Sequence, residues 1–171
     1  MRVEKVVSGG QTGADQAAWR AARARGIATG GFMPRGFFTE DGPRPDLGRE
    51  FDAAEHESTD PAGRTVANVH AADATLIFAV EPCGPGTTLT IATCRAAGAE
   101  HRVVRLGPDG FDATPEEVAA WLGSRPIRVL NVAGDRESSA PGLGARVEAF
   151  LGEVFRRVCN QPPARIEQEP G

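Results

Sequence analysis

Short apolar runs alternate along this chain with longer stretches of helical spacing. Val3 to Val7 is a β-branched run that stops at Ser8-Gly9-Gly10. From Gly13 to Arg25 the pattern is Ala-rich, and Ala17, Ala18, Ala21 and Ala22 are spaced to share one helical face. Gly26 supplies a C-terminal stop, and Ile27 to Thr29 reads as a second short strand. Thr65 to Ala71 has helical spacing. Ala74 to Val80 (ATLIFAV) has no polar position after Thr75, as expected of a strand covered on both faces of a parallel sheet. A helix opens after Gly84 and runs to about Ala97, and Arg102 to Leu106 is the next strand. Thr114-Pro115-Glu116-Glu117 then supplies an N-cap, a proline at the first helical position and a capping-box glutamate. Ile127 to Val132 reads as the last strand and Leu143 to Val158 as the last helix.

Strand, glycine turn and helix thus recur four or five times. That alternation predicts an α/β fold, a doubly wound and mostly parallel sheet flanked by helices in a single domain over residues 1–159. Two stretches break the rhythm. Residues 30–63 are dominated by Gly, Pro, Phe and charge, and read as a long irregular insertion of the kind that is usually functional or disordered. Phe32, Phe37, Phe38 and Phe51 argue against plain disorder, because aromatic rings need something to pack on. Residues 160–171 read as a loose tail.

Composition narrows the function classes. At 171 residues the chain can bury a full core without disulfide or metal staples. A formal net charge of −4 argues against nucleic acid or an anionic membrane as the main partner, yet backbone dipoles can hold a small anion inside an acidic protein. Cys83, Cys94 and Cys159 are odd in number and lack CxxC spacing, so they read as reduced thiols. No apolar run approaches the ~20 residues that span a bilayer, and no signal-peptide core follows the N-terminus. The expectation is a soluble, cytoplasmic protein.

In an open parallel sheet ligands bind beyond the carboxyl ends of the strands, and three segments fall there. In Ser8-Gly9-Gly10-Gln11-Thr12-Gly13-Ala14-Asp15 the glycines permit close backbone approach to an anion, and the next helix offers free N–H groups. A tight turn without a ligand would use the same glycines. Pro82-Cys83-Gly84-Pro85-Gly86-Thr87-Thr88 repeats the construction after the most buried strand, and two such loops on one sheet favour ligand binding. Neither matches GxGxxG or GxxxxGK[ST], and no lysine follows either glycine cluster, which argues against a Walker-type NTPase. The third segment carries Asn131, Arg136, Glu137 and Ser138 just past the last strand; a charged surface loop is the plainer reading, but its position beside the other two loops favours a ligand contact. Asp15 either answers the helix dipole, binds a sugar hydroxyl or acts as acid/base. Arg64 precedes a helix and would neutralise a phosphate. His56, His70 and His101 are scattered without metal-ligand spacing, so no protein-bound metal is predicted. Trp19 and Trp121 lie within helical patterns and read as core. Nothing near Cys83 in sequence would activate its thiol.

Taken together, SGGQTGADQAAWRAA at 8–22, GIATGGFMPRGFFTEDGP at 26–43, RTVANVHAADATLIF at 64–78, GTTLT at 86–90 and LNVAGDRESSAPGL at 130–143 resemble the putative molybdenum carrier family. That family belongs to a wider Rossmann-like group that includes the Lonely Guy phosphoribohydrolases and DprA-like proteins, and the resemblance covers roughly residues 3–158. It implies binding of molybdenum cofactor, as cargo, or of another nucleotide-like ligand. By the same resemblance Gly9, Gly10, Gln11, Thr12 and Gly13 form one anion loop and Gly84, Gly86, Thr87 and Thr88 the second, while Arg64, Asn131 and Glu137 to Ser139 match further motif positions. Partners implied are a small phosphorylated pterin or nucleotide, a second copy of the chain in a dimer or tetramer (with Phe32, Phe37 and Phe38 as a face to bury), and molybdoenzyme acceptors.

The sequence also departs from its relatives. The phosphoribohydrolases carry PGGxGTxxE, whose glutamate serves glycosidic chemistry, whereas PCGPGTTLT here places Leu89 and Thr90 after the glycines. The leading expectation is therefore a non-enzymatic binding or carrier protein. The rival is a nucleotide-processing hydrolase of N-glycosidase type, with Asp15 and Glu137 as acid/base candidates. A third reading is a ligand sensor that signals through residues 30–63.

Overall fold

The computed structural model describes residues 3–160. Its elements run, in chain order, β1 (Lys5–Val7), α1 (Ala14–Arg23), β2 (Ala28–Met33), β3 (Phe38–Thr39), β4 (Gly42–Pro43), α2 (Pro45–Glu50), β5 (Ala53–Glu55), α3 (Pro61–His70), β6 (Ala74–Val80), α4 (Pro85–Ala97), β7 (His101–Gly107), β8 (Gly110–Phe111), α5 (Pro115–Gly123), β9 (Val129–Gly134) and α6 (Leu143–Asn160). Seven strands form one sheet in the order β5-β2-β1-β9-β6-β7-β8, and β3 and β4 make a separate hairpin. Every pairing in the large sheet is parallel except β7 with β8. The expected Rossmann-like, mostly parallel sheet flanked by helices in a single domain is what the chain forms.

Side-chain alternation on β6 divides the core into two layers. Leu76 and Phe78 pack with α1, α5 and α6 through Ala17, Ala18, Ala21, Ala22, Trp121, Val147, Leu151 and Phe155. Ile77, on the opposite face, packs with Val69 of α3 and with Cys94 and Ile91 of α4. Every residue of β6 except Val80 is buried, which explains its unbroken apolar run. The alanine face of α1 is buried as its spacing predicts. Small side chains there let the helix lie close against α6 and the sheet. The capping box on α5 is present, with the Thr114 hydroxyl accepting from the Glu117 N–H and the Glu117 carboxylate accepting from the Thr114 N–H.

Residues 30–63 are more regular than their composition suggests. β2 continues to Met33 and β5 joins the sheet edge beside it, Gly31 to Met33 pairing with Ala53 to Glu55. A small core of Trp19, Met33, Leu47, Phe51 and Ala53 sits underneath. Trp19 stacks on Phe51 with ring centroids 5.1 Å apart, and its indole N–H donates to the Gly30 carbonyl at 2.9 Å. The four phenylalanines therefore divide. Phe51 is core, Phe37 packs against that core, Phe32 meets His56 edge-on, and Phe38 remains 55% exposed.

The last strand begins two residues later than its apolar run. Arg128 and Val129 both donate their N–H groups to the Asp73 carboxylate at 2.8 Å, and the ladder starts at Val129, paired with Lys5. The tail expected at 160–171 lies, from residue 161 onward, outside the described residues. Among the described residues, no helix is long and apolar enough to cross a membrane.

Candidate functional site

Connections from β1 and β6 leave the sheet in opposite directions, β1 leading to β2 on one side and β6 to β7 on the other. β9 lies between them, paired to both. A crevice opens past the carboxyl ends of these three strands, where doubly wound sheets place their ligands. The cleft holds about 220 Å³ and is walled by Gln11 and Asp15, by Pro61, Arg64 and Thr65, by Gly84 to Thr87 with Leu89 and Thr90, and by Ala133 to Arg136 with Ser138 and Ser139. That volume falls short of the ~300 Å³ at the lower end for drug-sized ligands.

Arg64 is the cation at the centre. It lies on α3, whose first turn is capped by the Asp60 side chain, and its side chain is 14% exposed. One Nη reaches Asp15 at 3.4 Å, a long contact. Its Nε is buried and has no hydrogen-bond partner. A buried donor left without a partner costs about 1–3 kcal/mol, and this side chain carries that cost with only the long Asp15 contact beside it. The N-terminus of α4 faces the same cleft. Gly84 caps it without a side-chain hydrogen bond, and Pro85 takes the first position. The N–H groups that a helix leaves open in its first turn carry the positive end of its dipole.

Asp15 is nearly fully buried. Burial pushes its carboxyl above the ordinary carboxylate range, and the opposing pull of the Arg64 charge and the Gln11 N–H does not cancel it. The Gln11 N–H donates to it at 3.2 Å. The Asp15 carboxyl is held by fewer donors than the other carboxylate of the cleft.

That other carboxylate, Asp135, escaped the sequence reading as an individual residue. It is 2% exposed. One oxygen accepts from the Gly84 N–H and the Thr87 hydroxyl, each at 2.8 Å, and the other accepts from the Val80 N–H at 2.9 Å. Its own carbonyl accepts from the Ala14 N–H at 3.3 Å. Asp135 thus ties the second glycine loop to the first. Only an aspartate after a terminal strand signalled it, and its partners lie up to 55 residues away.

The predicted site residues fall into three groups. Gln11, Asp15, Arg64, Gly84, Gly86, Thr87 and Ser138 come together around the cleft. Ser8, Gly9, Gly10, Gly13 and Asn131 form its buried substructure. The Ser8 hydroxyl donates to the Val132 carbonyl at 2.6 Å, and the Asn131 amide reaches the Thr75 hydroxyl at 3.3 Å. Gly13 adopts φ 77°, and a Cβ there would lie 2.5 Å from the Asp135 carbonyl, so only glycine lets the first loop press against β9. Thr12, Thr88 and Glu137 line no part of the cleft. Thr88 is exposed on α4. Both oxygens of Glu137 accept from backbone, Gly142 N–H at 2.5 Å and Gly144 N–H at 2.8 Å, which makes it the cap of α6.

The first glycine loop differs from its expectation in one respect. Several of its N–H groups already have protein acceptors: Gln11 bonds Asp15 and Thr12 bonds the Gln11 side chain. The amide oxygen of Gln11 also accepts from the Glu40 N–H at 2.9 Å. The Glu40 carboxylate in turn accepts from the hydroxyls of Thr12 and Ser138. Residues 30–63 therefore reach the site loops through Glu40, an acidic residue that the sequence did not single out, as well as through Pro61 in the cleft wall. Cys83 has no activating partner. Burial, then the charges of Glu81 and Asp135, push its thiol up. Among the described residues, no group of three or more His, Cys, Asp or Glu side chains is gathered as a metal site.

A doubly wound parallel sheet with a polar crevice at its switch point defines a Rossmann-like α/β protein. Residues 6–155 match the circularly permutated YpsA SLOG family, and the chain belongs to that family. It is also similar to the crystal structure of a "putative molybdenum carrier protein" from Syntrophus aciditrophicus SB, with a TM-score of 0.79 and 32% identity over 90% of this chain and 95% of that one. Both agree with the resemblance carried by the SGGQTGAD and NVAG motifs. No curated protein matches the chain.

Proposed function

We propose that this protein is a binding or carrier protein whose cleft takes the phosphate end of a nucleotide-like ligand, with the phosphorylated pterin of molybdenum cofactor as the foremost candidate. The observation that carries this reading is the guanidinium of Arg64. It is largely buried, loosely tied to Asp15 and left with an unpartnered Nε, and it shares the cleft with the N-terminus of α4, whose Gly84 cap offers no side-chain hydrogen bond. Those are the donors a phosphate needs, and each is stronger in a secluded site than in water. The molybdenum of such a cargo is held by its pterin, so the donors required of the protein are those for phosphate and ring. The Syntrophus protein is named for carrying molybdenum, which accords with a molybdenum-bearing cargo. A carrier of this kind would pass its cargo to a molybdoenzyme acceptor.

Carriage is favoured over hydrolysis by two positions. Leu89 and Thr90 follow the second glycine loop and line the cleft without the carboxylate of the PGGxGTxxE motif, and Glu137 is bound at both oxygens to the start of α6. One observation supports the rival reading: Asp15 is a buried carboxyl in the cleft whose proton affinity is raised, a property of general acids. In that reading Asp15 protonates the leaving base of a nucleotide N-glycoside.

The experiment is mass spectrometry of small molecules that co-purify with the protein, with thermal shifts against phosphorylated pterins and nucleotides. Ligand binding raises the melting temperature in proportion to the logarithm of concentration over Kd. An intact phosphorylated pterin or nucleotide, bound at least tenfold more weakly by Arg64→Ala, is the expected result. Absence of any shift across both ligand classes would overturn the proposal. A free base released from a nucleotide, and not released by Asp15→Asn, would replace carriage by hydrolysis.

A further inference from the structure

We propose that Thr12 and Ser138 form a second anion subsite beside the Arg64 cleft, one that the Glu40 carboxylate occupies as an internal stand-in and vacates for a second anionic group of the ligand. This rests on the reading that the cleft takes a phosphate-bearing molecule, and it adds that the ligand carries negative charge at two separated positions.

Glu40 sits at the turn between β3 and β4, strands of two residues each. Its carboxylate accepts from the hydroxyls of Thr12 and Ser138 and from the Ser138 N–H at 3.2 Å. Two hydroxyls and an amide around two oxygens form an oxyanion cradle, and a phosphate oxygen fits such donors as readily as a carboxylate oxygen. Although desolvation opposes ionisation, the Ser138 and Thr12 hydroxyls, the Ser138 N–H and the nearby charge of Arg136 together hold the Glu40 carboxyl below the ordinary glutamate pKa. The stand-in is therefore an anion throughout the neutral range.

The cradle belongs to the site loops and the plug to the insertion. Thr12 follows the first glycine turn and Ser138 follows β9, and they are joined through the Glu137 N–H, which donates to the Thr12 hydroxyl at 3.3 Å. Among the described residues, the hydrogen bonds that tie the 38–42 hairpin to these loops all run through Glu40. Glu40 and Ser138 are both exposed, so the hairpin can leave without opening the core. The subsite is also continuous with the cleft. Ser138 lines both the cleft and the outer cavity that Thr12 and Glu40 share, while Gln11, Arg64 and Arg136 line both the cleft and the shallow pocket beneath Glu40. A ligand anchored on Arg64 and the start of α4 that runs past Arg136 meets Ser138 next, where Glu40 now lies.

The test uses inorganic phosphate and tripolyphosphate as probes, followed by titration calorimetry on the full chain. Wild type is expected to bind one phosphate, lost on Arg64→Ala. Glu40→Ala is expected to bind a second phosphate and to bind tripolyphosphate at least tenfold more tightly. Glu40→Gln, which keeps the size but removes the charge, should shift the same way to a smaller extent and guards against a folding artefact in the alanine variant. Adding Ser138→Ala to Glu40→Ala should return the stoichiometry to one. A Glu40→Ala protein with wild-type stoichiometry and unchanged tripolyphosphate affinity would overturn the subsite while leaving Arg64-dependent binding intact. Phosphate binding in wild type that ignores Arg64→Ala would instead sink the cleft reading, whatever Glu40 does.

Discussion

The guanidinium of Arg64 lies in the space that a side chain on Gly9 would fill. A Cβ built on Gly9 would stand 1.5 Å from the Arg64 Nη1 and 2.9 Å from an Asp15 carboxylate oxygen. The first glycine of the SGGQTGAD motif thus serves the neighbouring arginine, letting it lie flat on the loop and point into the cleft.

That relationship predicts an uncoupling of stability from binding. Gly9→Ala meets no left-handed backbone constraint, and its clash is with the end of a flexible side chain, so the fold survives with a loss of about 1 kcal/mol, toward the lower end of overpacking costs. Arg64 must swing away. Phosphate affinity should therefore fall at least tenfold, close to the effect of Arg64→Ala itself. Thermal unfolding and calorimetry on the two variants check this, and a Gly9→Ala protein with undiminished phosphate affinity would disprove the role assigned to Arg64.

Asp135 predicts the opposite pattern, a stability defect that amide chemistry cannot repair. Asp135→Ala leaves the Val80 N–H, the Gly84 N–H and the Thr87 hydroxyl without their acceptor, and is expected to cost about 2–5 kcal/mol at roughly 1–3 kcal/mol per stranded buried donor, reduced where water reaches Gly84. Asp135→Asn has one acceptor oxygen and one NH₂ group, and all three partners are donors. It should therefore recover less than half of the loss in urea unfolding. Full recovery by asparagine would mean that the carboxylate is not the tie between the two glycine loops.

Much of this arrangement was legible in the sequence because it is local. The uninterrupted apolar run at 74–80 announced a strand buried on both faces, and the strings after Val7 and Val80 announced turns at strand ends. Arg64 stood out through its motif. What escaped depends on contacts between distant residues. Asp135 is one acid among many until Gly84 and Thr87 are folded against it. Glu40 lies in a stretch whose Gly and Pro content reads as loop, and only the docking of the β3–β4 hairpin brings it to Thr12 and Ser138. β5 was hidden for a similar reason: three residues, two of them alanine, carry no periodicity, and the strand exists because β2 and the Trp19–Phe51 stack hold it at the sheet edge.

Glu137 illustrates how a motif position can be structural. Both of its oxygens hold the backbone ahead of α6, so Glu137→Ala should lower stability by about 1–2 kcal/mol, the usual range for losing a helix N-terminal cap. Phosphate affinity should stay within twofold of wild type, and any nucleotide hydrolysis rate should be unchanged. Chemical denaturation and calorimetry separate the outcomes. A hydrolytic rate that collapses in a variant of wild-type stability would return Glu137 to the catalytic role its motif position suggested.

The buried Asp15 predicts a pH dependence whose sign follows from its environment. Its folded-state proton affinity is raised above the unfolded value of 3.8, first by burial, with Arg64 and the Gln11 N–H opposing incompletely. The native state then binds more protons than the unfolded chain in the window that starts near the unfolded value and runs up to the raised one, so stability falls as pH rises through it. Below that window both states are protonated and the carboxyl costs nothing. Above it the ionised, desolvated group persists with only the long Arg64 contact to offset it. Asp15→Asn removes the ionisation while keeping the shape, so it should be at least as stable as wild type at neutral pH and should lack the acidic-range decline attributable to this group. The comparison is the difference between wild-type and Asp15→Asn unfolding free energies across that window, which cancels the other carboxylates. A difference that stays flat with pH, or an asparagine variant markedly less stable at pH 7, would show that the Arg64–Asp15 pair is a net stabilising ion pair and that the guanidinium is less available to a ligand than its unpartnered Nε implies.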